Sequence, residues 1–517
     1  MNPSKETIKK DGDGIAPGGR VPIILSALMA LFLGAMDALV MSAAMPTIVA
    51  ELGGLHLYSW VYSAYFLARA VSLPVFGKLA DLYSNKRIFV ISIGIFLLSS
   101  IAAGLSPNMM ALIVCRVFQG IGAGGNFALV YIVLADISRP GQRAKTMSFA
   151  SSIWGIASVI GPTLGGVIVS YFSWRWIFFI NIPLGFFSLA GIAIFLKELR
   201  EKKKEISLDI NGVWTLSLSI FGVLIIFLLG GGEYPWTSRE IVTLAIITVA
   251  AGVGFIYAEK RAKEPILSLD FFRSRGFSLG NGSVFLSSFS IFAMFAFAPV
   301  FIQGALGRSP MQVGIAMLSL SLGWSLGSLV LGQISHRFPI KTAAIIGAVF
   351  LSGGCALTLL FTTDTSMQLC FLVFLLVGLG MGFVTLATLV IVQNTVDISD
   401  LGVATSSHQF ARTLGGTVGV GVCGGFLTTR LMHAVQSLED TGVLGDAVQT
   451  ILKGSGQGFE NILKPDVQAL LSEQAAEMLQ QAIAASVSVV FRITLAVSLL
   501  CFLACLLLPG SRDIDGK

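Results

Sequence analysis

Charge is scarce in this 517-residue sequence. Asp, Glu, Lys and Arg together make up 12% of it, roughly half the share found in water-soluble domains, so no ordinary soluble surface can be assembled from it. Histidine is scarcer still, at four residues. The six cysteines, Cys115, Cys355, Cys370, Cys423, Cys501 and Cys505, lie in or beside long apolar runs with no CxxC pair. Neither a disulfide framework nor a metal site is supported, and the cysteines read as small packing residues. Charge-rich heptads, a strict period of three and polar low-complexity tracts are also missing, which excludes coiled-coil, collagen-like and disordered chains. No Ser, His, Asp set stands out, so no enzyme and no cofactor is expected. GIGAGG (120–125) fits GxGxxG but lies inside an apolar run with no strand before it, and the GK dipeptides at Gly77 and Gly516 lack the spacing of a phosphate loop. ATP is therefore not expected as a direct energy source.

What the sequence has in abundance is apolar length. Hydrophobic residues account for 55%, and 57 glycines come in addition. Crossing ~30 Å of hydrocarbon takes about 20 residues of helix. Windows of that length predict fourteen spans, near 22–44, 58–77, 88–106, 108–134, 146–170, 175–196, 209–230, 240–258, 278–304, 311–334, 341–361, 368–392, 402–429 and 483–508. The fold class is thus an all-α polytopic membrane protein. The first run is too long for a signal-peptide core and is expected to remain as a span. An even count puts both termini on one side. With odd spans running outward, 24 of the 34 Lys and Arg fall in the tails and the even-to-odd loops. Six lie on the opposite side (Arg175, Arg239, Arg308, Arg430, Lys453, Lys464), and Arg69, Arg116, Arg412 and Arg492 lie within spans. Basic loops stay in the cytoplasm, so both termini are expected there, in a plasma (inner) membrane protein. That bias accounts for the net charge of +6 without nucleic acid as a partner. The basic run 197–204 reads as a solvated loop at the lipid headgroups, and the polar segment 431–482 as an outer hairpin or helix with no assigned chemistry.

An internal repeat organises the spans. GKLADLYSNKRIF (77–89) follows span two and GQISHRFPIKTAA (332–344) follows span ten. In each, a glycine leaves the helix, four residues lead to Asp81 or His336, and a short basic loop enters the next span. The offset of eight helices predicts two six-helix bundles with two helices inserted between them. The expected organisation is an N-tail (1–21), a first bundle (22–200), the inserted pair (201–265), a second bundle (266–508) that includes the 431–482 loop, and a C-tail (509–517).

With these segments the chain resembles the major facilitator superfamily, and within it the fourteen-helix drug:proton antiporters. GKLADLYSNKR matches the family's loop motif at Gly77, Asp81 and Lys86 but departs from it at Leu82, Ser84 and Asn85. RVFQGIGAG (116–124) is similar to the helix-four motif, GIASVIGPTLGG (155–166) to the antiporter motif of helix five, and MDALVMSAAMP (36–46) to the helix-one motif. WRWIFFINIPLG (174–185) and ARTLGG (411–416) also resemble that branch. The resemblance implies a proton-coupled exporter of lipophilic compounds that rocks two bundles about a central cavity.

Several side chains are candidates for that chemistry. Asp37 is the one carboxylate expected deep in the bilayer, where a charge costs at least ~2.5–3.5 kcal/mol, and Arg116 lies at similar depth. The two read either as a static ion pair or as a carboxylate that binds proton and substrate in turn, the role the resemblance gives them. Gly155, Gly161, Gly165 and Gly166 let helices approach closely and Pro162 permits a bend; the resemblance adds that this contact lies between the halves and controls opening. Asp81, with Lys86, Arg87 and Arg143 nearby, reads either as a solvated loop charge or as a latch that can face a helix N-terminus. Tyr58, Tyr62, Tyr65, Arg69 and Ser72 form one polar stripe that faces a cavity or a structural partner. Asn126, His408, Gln409 and Arg412 join the expected cavity, His408 and Gln409 with packing as the equal alternative. Most of Phe285, Phe289, Phe292, Phe295 and Phe297 are expected against lipid or core. A cavity with surplus positive charge favours neutral or weakly acidic lipophiles over permanent cations. The expected partners are therefore such a substrate, protons and lipid. A transporter of one specific metabolite or lipid on the same fold is the alternative, and a channel or receptor a more distant one.

The basic-residue asymmetry generates a topological test. Cysteines introduced at Ser207 and Ser455 on a cysteine-free background should label from opposite sides of the membrane. Equal reaction of both with an impermeant thiol reagent on intact cells would mean that the span count is wrong.

Overall fold

The computed structural model describes residues 17–52, 57–138, 142–197, 209–230, 234–262, 269–308, 310–397, 400–440 and 472–510. The N-tail to residue 16, most of the 197–204 run, the centre of the outer segment and the end of the C-tail fall outside the described residues. So do the side chains of Tyr58 and Pro162.

Fourteen long helices make up the described chain: α1 Pro17–Leu52, α2 Tyr58–Leu82, α3 Asn85–Gly104, α4 Met109–Asp136, α5 Arg143–Tyr171, α6 Trp176–Phe195, α7 Ile210–Leu229, α8 Arg239–Arg261, α9 Arg275–Val300, α10 Pro310–Ile334, α11 Ile340–Leu357, α12 Met367–Asn394, α13 Leu401–Asp440 and α14 Glu473–Leu506. Twelve are long and apolar enough to cross a membrane; the other two, α2 and α5, carry the polar stripe and the glycine-rich segment. Local chemistry sets their starts. The side chains of Ser84, Asn108, Asp209, Ser238, Ser366 and Ser472 each accept a backbone N–H of the first turn of α3, α4, α7, α8, α12 and α14, which satisfies donors that a helix start leaves open. Pro299 interrupts α9, and the chain continues as a π-turn over Phe301–Ala305.

Helix α1 runs past its hydropathy window at both ends, and two later helices outrun theirs. α13 continues to Asp440, and α14 begins at Glu473, ten residues ahead of its apolar run. Both extensions lie in the segment 431–482, expected to be an outer loop. A polar, amphipathic sequence can stay helical after it leaves hydrocarbon, so hydropathy marks the membrane and not the helix end.

Helices α1–α6 pack among themselves through α2 on α4, α3 on α4, α1 on α5 and α1 on α6. Helices α9–α14 do the same through α10 on α12, α11 on α12, α9 on α13 and α9 on α14. The inserted α7 and α8 pack on each other, and α7 rests on α2 and α13. The bundles meet where α5 touches α10 and α2 touches α13. The closest packing is carried by glycine. A Cβ at Gly323, Gly327, Gly378 or Gly382 would overlap a backbone carbonyl of the facing helix in the α10–α12 pair, a contact that small residues alone allow.

Gly378→Ala should therefore destabilise the protein by about 1–3 kcal/mol, the usual cost of overpacking, and lower the melting midpoint of the purified protein. Gly353→Ala, at an exposed position with nothing within 4 Å, should leave it unchanged. Equal midpoints would show that the α10–α12 contact is slack.

Candidate functional site

Three polar clusters stand out in an otherwise apolar interior. In the first, Asp37 of α1 and Arg116 of α4 are both fully buried and joined at 2.6 Å, from Arg116 Nη1 to Asp37 Oδ2. Gln119 Nε2 and Asn181 Nδ2 donate to the other carboxylate oxygen at 2.8 and 3.0 Å. Both amides also donate to Ser100 Oγ. Arg116 stacks on the Tyr65 ring, 4.1 Å from its centroid, and donates to Gln119 Oε1 at 2.8 Å. Asp37 thus accepts three hydrogen bonds from three side chains, yet Arg116 Nη2 finds no partner. The sequence reading had missed Gln119, Asn181 and Ser100. The first two stand in segments already quoted, RVFQGIGAG and WRWIFFINIPLG, as polar side chains in apolar runs.

The second cluster lies on the wall of a cavity of about 920 Å³ between the bundles. It runs from Arg69 and Arg412 toward the end bearing Tyr62, Gly230, Phe297 and Gly425, opposite the α2–α3 loop. The expected stripe does not act as one. Tyr62 and Arg69 line the cavity, whereas the Tyr65 hydroxyl donates to Gly34 O at 3.2 Å and Ser72 Oγ turns back to Arg69 O at 3.0 Å. Spacings of three and four sweep a broad arc of helix, and its far edge faces α1 and α4. Asn126, His408 and Gln409 are buried away from the cavity wall. Asn126 Oδ1 accepts from Ser92 Oγ at 2.7 Å, His408 Nε2 meets Thr388 Oγ1 at 2.9 Å, and neither amide atom of Gln409 has a partner. Phe289 belongs to the core, and Phe292, Phe295 and Phe297 pack against that core while also lining the cavity, which the expectation of lipid or core had not included. An apolar residue facing lipid and one facing an apolar cavity have the same hydropathy. Trp154, Trp324, Ser321, Ser325 and Thr413 complete the wall without having been expected there.

Arg69 and Arg412, both nearly buried, are the charged residues on that wall. Their guanidinium carbons stand over one ring, Phe127, at 4.3 and 4.9 Å from its centroid, and so within about 9 Å of each other. At an effective dielectric constant of about 20, like charges that close repel by roughly 2 kcal/mol. The hydroxyl of Tyr65 faces Arg69 and that of Tyr131 faces Arg412. Among the described residues neither arginine has a carboxylate partner.

The third cluster closes the opposite end. Both carboxylate oxygens of Asp81 accept backbone N–H groups from the first turn of α13, Gly402 N and Val403 N, each at 2.8 Å. A Cβ at Gly77 would overlap Ser406 of α13, and one at Gly332 would overlap Ser148 of α5. The two glycines of the sequence repeat thus make equivalent contacts across the interface. Arg143 Nη1 of α5 donates to Asn394 Oδ1 of α12 at 3.1 Å. Lys86 lies half-buried in the first turn of α3. Along α5, Gly155 lines the cavity, where a Cβ would overlap Ser325 of α10. Gly161 and Gly165 are buried, while a Cβ at Gly166 would meet nothing within 4 Å.

The sequence family described as Major Facilitator Superfamily matches residues 27–420. The chain is 35% identical over 411 residues to multidrug transporter protein MdtP of Bacillus subtilis, which covers 80% of this chain and 76% of that protein. It is 30% identical to multidrug resistance protein 3 of Bacillus subtilis, over 86% of this chain and 85% of that one. It is 28% identical to efflux pump aflT of Aspergillus parasiticus, over 88% and 90%. The crystal structure of the human organic anion transporter MFSD10 shares the fold, with a TM-score of 0.60 over 93% of this chain and 100% of that chain at 14% identity. A family match of that extent, on fourteen helices that enclose a cavity between two bundles, makes this chain a member of the major facilitator superfamily of membrane transporters.

Proposed function

We propose that the protein is a proton-coupled antiporter that exports small lipophilic compounds from the cytoplasm by alternating access, with both termini cytoplasmic and the plasma (inner) membrane as its site. The observation that carries this reading is the buried Asp37 carboxylate, held by one cation and neutral donors next to an apolar cavity. The named roles of the relatives as multidrug transporters and efflux pumps support the direction of transport.

With the basic loops in the cytoplasm, the Asp81 end is the inner one, and the closed contacts there make this the outward-facing conformation. A proton then reaches Asp37 from the outer side, where its neighbour Ala38 lines the cavity. Neutralising Asp37 leaves Arg116 charged without its counterion, and stripping one partner from a buried pair costs about 3–5 kcal/mol. Swinging a two-state equilibrium from one per cent to ninety-nine takes about 5.5 kcal/mol. One proton shifts that equilibrium only by the difference in what the two states offer Arg116 in place of its counterion, and in this cycle the inward-facing state offers more. There Asp37 gives its proton to the cytoplasm as substrate binds. Asp81 resists that swing through its two bonds to α13, which would also interact favourably with the positive end of the helix.

Two tests follow from this cycle. A growth-inhibition panel of lipophilic cations, weak acids and neutral compounds first selects a transported substrate. In proteoliposomes, Asp37→Asn should abolish export driven by a pH gradient while exchange of labelled against unlabelled substrate persists. Export that still tracks the gradient in this variant would remove Asp37 as the proton site, and loss of exchange by the unaltered protein would argue for a channel. For the latch, spin labels at Tyr171 and Met311, exposed ends of α5 and α10 on the open side, report the opening as a distance. Asp81→Asn, which loses one acceptor, should raise the closed-outside population roughly tenfold, the equivalent of about 1.4 kcal/mol. An unchanged distance distribution would mean that Asp81 holds no conformation.

A further inference from the structure

The cavity floor carries two arginines that no acid among the described residues balances. Arg69 comes from the first bundle and Arg412 from the second, both over Phe127. Arg69 Nε, on a side chain 6% exposed, has no hydrogen-bond partner. The hydroxyls of Tyr65 and Tyr131 face the pair, and Arg69 Nε is the donor they leave without an acceptor. Among the described residues no Asp or Glu lines the cavity. Beside each arginine stands a cavity tryptophan, Trp154 at 5.5 Å from Arg69 and Trp324 at 5.7 Å from Arg412, and the wall beyond is aromatic through Phe292 and Phe295. A buried pair of like charges with a donor to spare, at the base of an apolar chamber, suits an anion with an apolar body.

We propose that Arg69 and Arg412 form a two-arginine clamp for the headgroup of an amphiphilic organic anion, one carboxylate or sulfonate, whose apolar body lies against the aromatic wall. Planar guanidinium groups match both oxyanions, each able to bind through two parallel hydrogen bonds. An anion between them removes their mutual repulsion and ties the first bundle to the second across the cavity floor. A permanent cation meets like charge there and binds less well. The proposal rests on the reading of this cavity as the transport site, and it commits to a free amphiphile.

The test uses the full-length protein in nanodiscs of zwitterionic lipid, which keeps anionic headgroups out, with lipid-only discs subtracted. The probes are 8-anilino-1-naphthalenesulfonate and N-phenyl-1-naphthylamine, which share one aromatic body and differ by the sulfonate. The sulfonate is expected to bind at least tenfold more tightly. That ratio should fall to near one in Arg69→Gln and in Arg412→Gln, and stay well above one in Arg69→Lys. On the unaltered protein, benzenesulfonate should displace the sulfonate probe and not the amine, which keeps the test independent of how the variants fold. A ratio near one in the unaltered protein, a ratio that survives both glutamine substitutions, or no displacement by benzenesulfonate overturns the clamp. Counterflow in proteoliposomes separates this from the carrier reading. Exchange of the amine without a sulfonate preference defeats the clamp alone, whereas a sulfonate preference with exchange of neither probe defeats the carrier reading and leaves the anion site.

Discussion

Hydrocarbon does not tolerate a charge without compensation, and the interior of this protein is arranged around the few charges it contains. Asp37 and Arg116 compensate each other within the first bundle, and Gln119, Asn181 and Ser100 complete the shell. All of these side chains come from α1, α3, α4 and α6, so the cluster can travel as a unit when one bundle moves against the other. Arg69 and Arg412 have no such shell. They lean on aromatic rings and face the cavity, and among the described residues no carboxylate meets them. The same constraint therefore yields one site whose opposite charges are paired within a bundle and one whose like charges face a cavity.

The contacts between bundles are of another kind. At the closed end they are glycines against serines, one arginine on an asparagine, and one carboxylate on a helix N-terminus. Beside them one apolar core crosses the seam, with Phe76, Met147 and Ala150 of the first bundle packed in the same cluster as Leu331, Phe383 and Leu401 of the second. Within a bundle the glycines of α10 and α12 bring backbones into contact along several turns, which makes the bundle stiff. Stiff halves that meet along one seam are what a rocking motion requires.

The architecture was legible because hydropathy and helix length are nearly the same signal in a membrane, and because the Gly77 and Gly332 segments repeat. The site was legible where a residue breaks its context, as Asp37 and Arg116 do. Gln119 and Asn181 were harder, since a lone amide in an apolar run can bond its own backbone. The polar stripe on α2 misled because helical spacing fixes a face only to within a wide arc, so Tyr62 and Tyr65 share a stripe yet see different neighbours. Phe292, Phe295 and Phe297 misled for the opposite reason: an apolar wall built for a lipophile looks like a wall built for lipid.

Tyr65 shows how little separates the two charged sites. Its ring lies under Arg116, and its hydroxyl, bonded to Gly34 O, also faces Arg69. A single buried side chain thus stands between the Asp37 cluster and the cavity floor. Electrostatic influence at that range survives in a low-dielectric interior, where an interaction is several times stronger than in water. A change of one unit of charge at Asp37 alters how strongly Arg116 is held, and the ring that Arg116 rests on belongs to the residue whose hydroxyl meets Arg69. If the carboxylate takes the proton and the arginines take the substrate, coupling between them needs no long pathway, because a shift of Tyr65 is felt on both sides at once.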